Sequence, residues 1–286
     1  MRSSARFSGL IMQAVQSISS LATRGETPQR LAPPRVFAPL LLADWMRAVF
    51  IHYEVDPAAL QREIPFQLDL WKGRAFVSLV AFTMERLRPS VGGRVAELAF
   101  KPIASTRFLN VRTYARHRGE PGIYFIAEFL SNRLCVPLGP PTFGLPYRFG
   151  NLIYEHNRAG RVVAGTVNAA GGRCRLAYRA QPASEPAPQE SGPETLDSFL
   201  LERYAAFTCR GAKRRRFHIW HPPWPQFRIE PVVQDEGLLA TSGKWIENAR
   251  LIGGNYSPGV RGVWMGSPRR IYPPAARRRL TVFFDA

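Results

Sequence analysis

The stretch FGLPYRFG, residues 143–150, places two large polar side chains directly after a glycine–proline turn. The Tyr147 phenol can donate a hydrogen bond or a proton, and the Arg148 guanidinium can hold a carboxylate through two parallel hydrogen bonds. Neither group can form an imine with a ketone, because a phenol has no amine and a guanidinium keeps its proton at neutral pH. The pair therefore predicts non-covalent binding of a small anion, with Tyr147 as the candidate catalytic residue and Arg148 as a ligand-binding residue.

A second candidate group lies on the predicted strand LNVRTYARH, residues 109–117. Strand alternation puts Asn110 and Arg112 on the same face. A polar strand face is usually solvated, whereas in a closed barrel it lines the interior and forms a ligand pocket for an anion. The sequence leaves both alternatives open. In the second, Arg112 joins Arg148 in binding a carboxylate and Asn110 orients the ligand.

The sequence has no recognisable metal or nucleotide motif. His218 and His221 have H-x-x-H spacing, but on a strand this spacing puts the two rings on opposite faces, and no carboxylate or cysteine cluster accompanies them. Cys135, Cys174 and Cys209 are widely spaced and lack a C-x-x-C pair, which argues against a zinc cluster and a disulfide framework. Ser-His-Asp order, G-x-G-x-x-G and Walker sequences are also absent. We therefore expect no metal and no cofactor.

The formal charge of +18 comes from 39 basic and 21 acidic residues. Such a charge is compatible with an anionic partner such as nucleic acid or a membrane surface. Only four of the basic residues are lysines, and the arginines are scattered along the whole chain. The densest clusters, 213–216 and 277–279, are typical of solvated surface runs. Nucleic-acid binding through a basic surface is therefore the weaker alternative, since no nucleic-acid motif accompanies the charge.

Residues 1–36 differ from the rest of the chain, because apolar residues recur there at helical spacing and no acid precedes Glu26. Three alternatives stay open for this amphipathic extension: it docks on the domain or stays loose, it lies on an anionic membrane surface, or it is a cleaved targeting peptide. The second makes the chain a non-enzymatic protein attached peripherally to a membrane. No apolar run of about 18 residues is present, and we expect a cytoplasmic protein.

Residues 37–286 are predicted to form one domain. Asp56 and Pro57 begin a short helix, and a second helix is predicted over TLDSFLLERYAAF, residues 195–207. The proline-rich residues 181–194 predict a mobile surface loop. Short turns separate most strands, which favours an antiparallel sheet or barrel over alternating strands and helices. The predicted strands are 74–85, 109–117, 122–130, 149–157, 161–168, 174–180, 215–221 and 237–243.

Seven stretches, in order, carry a family resemblance: RAVFIHYEVDPAALQREIP, GRAFVSLVAFTM, LNVRTYARHRGEPGIYF, FGLPYR, FLLERYAAFT, HPPWP and NYSPGV. Together they resemble the YqjF-like proteins, a bacterial family of unknown function (domain of unknown function 2071). That family is similar in fold to acetoacetate decarboxylases. The resemblance implies an α+β fold, an antiparallel β-barrel or cone with outer helices and a central cavity.

In acetoacetate decarboxylases two lysines follow the glycine–proline turn, and one of them forms an imine with the substrate. Tyr147 and Arg148 match those lysines here, and Phe108 matches the cavity glutamate of those enzymes. The resemblance therefore implies a small carboxylate ligand and, if the protein is an enzyme, a lyase-like activity without a Schiff-base lysine. Structural roles stay open as well, with Arg148 paired to Glu155 or Glu128 and Tyr147 simply packed. The oligomeric state also stays open, a homo-oligomer included.

Overall fold

A computed structural model describes residues 37–157, 162–182, 192 and 194–272. The N-terminal extension, 1–36, and most of the predicted loop, 181–194, lie outside these residues, so both stay predictions. Among the described residues, no helix combines the length and the apolar composition needed to cross a membrane.

Thirteen strands make up most of the described chain, and most of the predicted strands are found within them. They are β1 (Pro39–Val55), β2 (Gln67–Leu68), β3 (Ala75–Pro89), β4 (Thr106–His117), β5 (Glu120–Leu130), β6 (Tyr147–Asn157), β7 (Val162–Ala169), β8 (Arg175–Pro182), β9 (Ala205–Arg210), β10 (Lys213–Trp220), β11 (Phe227–Asp235), β12 (Arg250–Gly266) and β13 (Arg269–Ile271).

The helices are short and connect the strands. They are α1 (Pro57–Glu63), α2 (Gly93–Phe100), α3 (Gly139–Thr142) and α4 (Leu196–Leu201), with 3₁₀ turns at Lys101–Ile103, Leu239–Ser242 and Lys244–Asn248. The start of α1 agrees with the sequence, because the Asp56 side chain accepts a hydrogen bond from the Ala58 amide at 2.9 Å and Pro57 follows it.

Two predicted elements differ from the structure. The predicted helix 195–207 ends at Leu201, since its last residues form β9, which pairs with both β5 and β10. The predicted strand 237–243 is wrong, because this segment forms a 3₁₀ turn that buries the adjacent residues Leu238 and Leu239. Two neighbouring apolar side chains can share one side of a tight turn, whereas on a strand they would point to opposite faces.

Strand pairing makes the sheet ring-like, and two closed rings share β12, β1, β3, β4 and β5. The larger ring is completed by β6, β7, β8 and β11. The smaller ring is completed by β9 and β10, because β9 pairs with β5 and β10 pairs with β12. Nearly all neighbouring strands are antiparallel, and the parallel exceptions are β5–β6 and β5–β9.

Both faces of β4 are buried, so neither face is the solvated one. Leu109 and Val111 pack in a first hydrophobic core, which also contains Leu152 of β6 and Leu176 of β8. Residues on the other face, Phe108 among them, pack in a second core. The alternation within LNVRTYARH therefore separates two interiors rather than an interior from water.

Candidate functional site

An interior cavity of about 100 Å³ lies on the side of β4 that faces the second core. Its lining comes mainly from β1, β3, β4, β5, β10 and β12, which are strands of the smaller ring. The apolar wall includes Trp45, Phe82, Phe108, Phe125, Phe217 and Trp224, and the polar lining residues are Asn110, Arg112, Glu128 and Tyr147. A mostly apolar enclosure with a few convergent polar groups is typical of a small-molecule site.

Three of the polar residues form one row across adjacent strands. Asn110 on β4 lies opposite Glu128 on β5, and Glu128 lies opposite Tyr147 at the start of β6. Directly opposed residues project to the same face of a sheet, with Cβ atoms about 5 Å apart in antiparallel pairs. The register therefore places an amide, a carboxyl and a phenol side by side in the cavity.

The glycine–proline turn positions the Tyr147 ring. The Glu128 amide donates to the Pro146 carbonyl at 3.2 Å, which joins the end of the turn to β5. Gly139 of α3 packs against the ring so closely that a Cβ atom there would lie 2.3 Å from it. Tyr147 also contacts Phe108 edge-on, with ring centroids 5.8 Å apart. Glycine at position 139 is thus needed for the tyrosine to reach the cavity.

Glu128 is buried, and its Oε2 atom has no hydrogen-bond partner among the described residues. Burial raises the pKa of this carboxyl well above its usual value of 4.5, because the charged form loses its hydration. A protonated carboxyl can donate one hydrogen bond and accept others. Glu128 can therefore act as a neutral hydrogen-bond donor inside the cavity.

Arg112 is a buried cation with an incomplete set of partners. Its Nη2 donates to the Leu200 carbonyl at 3.1 Å, while no described residue accepts a hydrogen bond from Nε. Burial lowers the pKa of the guanidinium, with Tyr114 and Glu202 partly offsetting the effect. An arginine nevertheless keeps its charge at neutral pH. Within the described part of the chain, no carboxylate forms an ion pair with it.

A buried hydrogen-bond network holds the carbonyl that Arg112 contacts. The Tyr114 hydroxyl donates to the same Leu200 carbonyl at 2.9 Å and lies 2.6 Å from the Ser78 hydroxyl. Ser78 in turn contacts Nδ1 of His52 at 2.7 Å. Burial lowers the pKa of His52 to about 4, so the ring is neutral at neutral pH. The network fixes the position of the guanidinium without adding a charge.

Tyr147 lines the cavity with an uncharged phenol. Its ring packs between Gly139 and Phe108. Burial raises the pKa of the phenol well above 10, and the nearby groups of Glu128 and Cys135 raise it further. At neutral pH the hydroxyl therefore keeps its proton and can donate a hydrogen bond.

The structure brings together Asn110, Arg112 and Tyr147 but places Arg148 elsewhere. Strand alternation turns the exposed Arg148 to the opposite face of β6, where Nη1 donates to the Thr241 carbonyl at 3.1 Å. Its guanidinium lies 5.7 Å from the Phe129 ring centroid. Arg148 therefore does not line the cavity, and the expectation that it joins Arg112 in a ligand site there is wrong. The alternative ion pair of Arg148 with Glu155 or Glu128 is not formed either.

Glu128 is the polar cavity residue for which the sequence predicted no functional role. The resemblance matches the cavity glutamate to Phe108 of β4, whereas the structure has an acid on the neighbouring strand β5. A signal was present, because Glu128 interrupts the otherwise apolar run YFIAEFL. An acid within a buried strand is rare unless it is paired or functional.

The two histidines of HIWHPPWP have separate partners. His218 Nε2 contacts Glu120 Oε1 at 3.0 Å, and His221 Nδ1 contacts the Pro222 carbonyl at 2.8 Å. In the described ranges, no group of three or more His, Cys, Asp or Glu residues has a geometry suited to a metal ion.

A larger, open groove of about 790 Å³ lies on the surface near Arg47 and Tyr154. Its main polar groups already have protein partners: Arg47 pairs with Glu85, and the Tyr154 hydroxyl donates to the Phe108 carbonyl at 2.8 Å. His156, which also lines it, contacts the Arg47 carbonyl and the Tyr178 hydroxyl. We therefore take the smaller interior cavity as the candidate site.

Comparison with known proteins identifies the family. Residues 42–261 match the model of the domain-of-unknown-function family 2071 (DUF2071), described as an uncharacterised conserved protein. The chain belongs to the DUF2071 family. It is 34% identical over 188 residues to the uncharacterised protein YqjF of Bacillus subtilis, and this match covers 63% of the chain and 72% of YqjF.

Solved structures show which fold the DUF2071 member shares. An acetoacetate decarboxylase-like enzyme from Sphingomonas wittichii has a TM-score of 0.56 at 15% identity, covering 86% of this chain and 99% of that protein. Acetoacetate decarboxylase from Legionella pneumophila has a TM-score of 0.56 at 12% identity, covering 89% and 95%. The enduracididine biosynthesis enzyme MppR, complexed with pyruvate, has a TM-score of 0.57 at 13% identity, covering 86% and 98%. These similarities confirm the predicted acetoacetate decarboxylase-like fold.

Lysines do not contribute to the cavity of this DUF2071 member. All four lysines of the chain, Lys72, Lys101, Lys213 and Lys244, are exposed. Phe108, at the position matched to the cavity glutamate, is buried in the cavity wall. The cavity therefore contains one carboxyl group, that of Glu128, and a phenol where an imine-forming enzyme needs an amine.

Proposed function

We propose that this DUF2071 member binds a small organic acid in the interior cavity and that Glu128 and Tyr147 supply non-covalent acid–base groups to it. One observation carries the proposal: Asn110 Oδ1, Arg112 Nε and Glu128 Oε2 are buried and have no hydrogen-bond partner among the described residues, and all three residues line the same cavity. Buried polar atoms are nearly always hydrogen-bonded in native proteins. Their convergence is typical of a site that a polar ligand completes.

The charge balance of the cavity favours an anionic ligand. Arg112 brings a buried positive charge, and the nearest lining acid, Glu128, favours its neutral form. A buried cation without a counter-charge is costly, because the low-dielectric interior does not replace its hydration. A ligand carboxylate would supply both the counter-charge and an acceptor for the free Nε–H.

The acid–base groups favour proton donation over covalent catalysis. Burial favours the protonated forms of both Glu128 and Tyr147. Because every lysine is exposed, a covalent imine has no suitable amine in the cavity. If the bound acid reacts, we expect a lyase-like step in which one of these groups protonates it without a covalent intermediate.

A thermal-shift screen of small carboxylic acids tests the proposal. Arg112→Met removes the buried cation, and Arg148→Met removes an exposed arginine outside the cavity as the matched control. Wild type and Arg148→Met should be stabilised by the same acid, by about 2.7 kcal/mol at a concentration 100 times its Kd, while Arg112→Met should not respond. An equal response of Arg112→Met, or no stabilising acid for wild type, would refute the proposal.

A further inference from the structure

We infer that the acid bound in the cavity is a hydroxy acid and that an oxo acid of the same carbon skeleton binds less well. This inference rests on the proposed function and specifies its ligand class. It follows from the hydrogen-bonding capacity of the three cavity atoms that have no partner among the described residues, because these atoms are not all of the same kind.

Arg112 Nε and Asn110 Oδ1 require opposite partners. The Nε–H group can only donate a hydrogen bond, so it needs an acceptor such as a carboxylate oxygen. The amide oxygen of Asn110 can only accept, so it needs a donor from the ligand. A plain carboxylate or an oxo acid offers acceptors alone, and Asn110 Oδ1 would stay buried and unpaired beside it.

Glu128 adds a group that can both donate and accept. Its carboxyl lies opposite Asn110 across β4 and β5, so the two side chains face the same part of the cavity. A hydroxyl placed between them can donate to Asn110 Oδ1 and accept from the protonated Glu128 carboxyl at the same time. A ketone oxygen can only accept from Glu128. The pair therefore distinguishes an alcohol from a ketone.

The remaining cavity wall restricts the size and shape of the ligand. Phe82 and Phe108 stack with centroids 5.3 Å apart, and together with Trp45 they form an aromatic surface. A cavity of about 100 Å³ admits a short chain beside this surface. We therefore expect a hydroxy acid with a short, otherwise unsubstituted carbon chain.

Calorimetric titration of the full chain with a four-carbon series tests this inference. The probes are 2- and 3-hydroxybutanoate, 2- and 3-oxobutanoate, and butanoate. We expect one hydroxy acid to bind at least about tenfold more tightly than its oxo counterpart and than butanoate, because a site that pairs a hydroxyl discriminates against analogues lacking it. An oxo acid or butanoate that binds equally well or better would overturn the inference and leave the proposed function standing. Failure of all five to bind would overturn the inference, while the proposed function is overturned only if the thermal-shift screen also finds no stabilising acid.

A variant pair assigns the preference to Asn110. Asn110→Leu removes the acceptor, and Asn151→Leu replaces an exposed asparagine on β6 as the control. We expect Asn110→Leu to bind butanoate and the preferred hydroxy acid within about threefold of each other, while Asn151→Leu keeps the wild-type ratio. A wild-type ratio in Asn110→Leu would contradict the inferred role of this residue. The wild-type series is decisive by itself if Asn110→Leu does not fold.

Discussion

Glu128 on β5 and Tyr147 on β6 lie opposite each other in a parallel register, and both line the same cavity. Burial raises the pKa of each group, and Glu128 contributes to the shift of Tyr147. Ionising either one makes ionising the other less favourable, since two negative charges would then share a low-dielectric space. The pairing of Glu128 with Tyr147 therefore favours a neutral carboxyl and a neutral phenol side by side in the cavity.

The first prediction concerns the pH dependence of stability due to Glu128. Its pKa is raised in the folded state, so above the usual value of 4.5 the unfolded chain releases a proton that the folded chain retains. Folding stability therefore falls as pH rises, by at most about 1.4 kcal/mol per pH unit for this group. Glu128→Gln removes this loss. The free energy of unfolding of the variant, measured by urea denaturation, should therefore rise relative to that of wild type as the pH is raised from 4 to 8.

Glu155→Gln is the control for this experiment, because it removes an exposed carboxyl from β6. Its stability should follow the wild-type profile across the same pH range. Parallel profiles for wild type and Glu128→Gln would contradict a raised pKa at Glu128.

The second prediction concerns acid denaturation and the histidines His52 and His156. Burial lowers the pKa of each from 6.5 to about 4. Below pH 6.5 the unfolded chain binds protons that the folded chain excludes, so stability decreases as the pH is lowered. At 1.4 kcal/mol per pH unit, each ring accounts for a loss of about 3 kcal/mol in total. The two rings together contribute a slope to the plot of unfolding free energy against pH. Urea titrations between pH 7 and pH 4.5 should show that His156→Gln loses about half of this contribution.

A non-titrating variant separates this effect from a general loss of stability. Thr113→Val removes a buried hydrogen bond to the Phe76 carbonyl at 2.8 Å and introduces no ionisable group. It should lower stability at every pH and keep the wild-type slope. If His156→Gln also kept that slope, the ring would not be neutral in the folded state.

The third prediction concerns the contact between Gly139 and Tyr147. A Cβ atom at position 139 would lie 2.3 Å from the tyrosine ring, so Gly139→Ala must displace the ring or α3. We expect a loss of about 1–3 kcal/mol in stability, as for other overpacked sites, together with weaker binding of any cavity ligand. Thermal unfolding and titration measure the two effects. Gly192→Ala, where the nearest atom would be 3.6 Å away, should change neither.

The fourth prediction concerns arginines that face each other on β10 and β13. Arg215 lies opposite Arg270, and burial together with Arg270 and Arg210 lowers the pKa of Arg215. Like charges directly opposite each other destabilise a sheet, by about 0.2–1 kcal/mol per pair. Arg270→Glu should therefore raise the melting temperature at low salt, and the gain should shrink at high salt because ions screen the pair.

Arg179→Glu provides the comparison, because this exposed residue of β8 lies opposite the uncharged Val232. It should produce no comparable gain in melting temperature at low salt. A lower melting temperature for Arg270→Glu would show that the two arginines do not repel each other in the folded protein.

Local patterns in the sequence predicted the elements, whereas the pairing of distant strands determined the site. The Asp56–Pro57 helix start and most strands followed from caps and alternation. Which residues line the cavity depends on how the strands pair. Alternation within β4 predicts that Asn110 and Arg112 share one face, but it does not predict whether that face is buried. It is buried because β4 has partners on both edges and a core on each face.

Arg148 and Glu128 show why closeness in sequence does not predict which residues line the cavity. Tyr147 and Arg148 are neighbours in the chain, yet alternation sends them to opposite faces of β6. Glu128 is 19 positions from Tyr147 in the numbering, and strand pairing makes them neighbours. The residue pattern within one segment does not predict contacts that depend on the register between two strands.

The two faces of β4 allow the cavity lining of this chain to change without altering its first hydrophobic core. Even-numbered positions such as Asn110 and Arg112 meet the cavity, and odd-numbered positions such as Leu109 and Val111 maintain the first core. Selection can therefore act on alternate residues of a single segment for separate reasons. If the cavity binds an acid as proposed, substitutions that change the preferred ligand should fall at the even positions of β4, and the odd positions should accept only side chains of similar size.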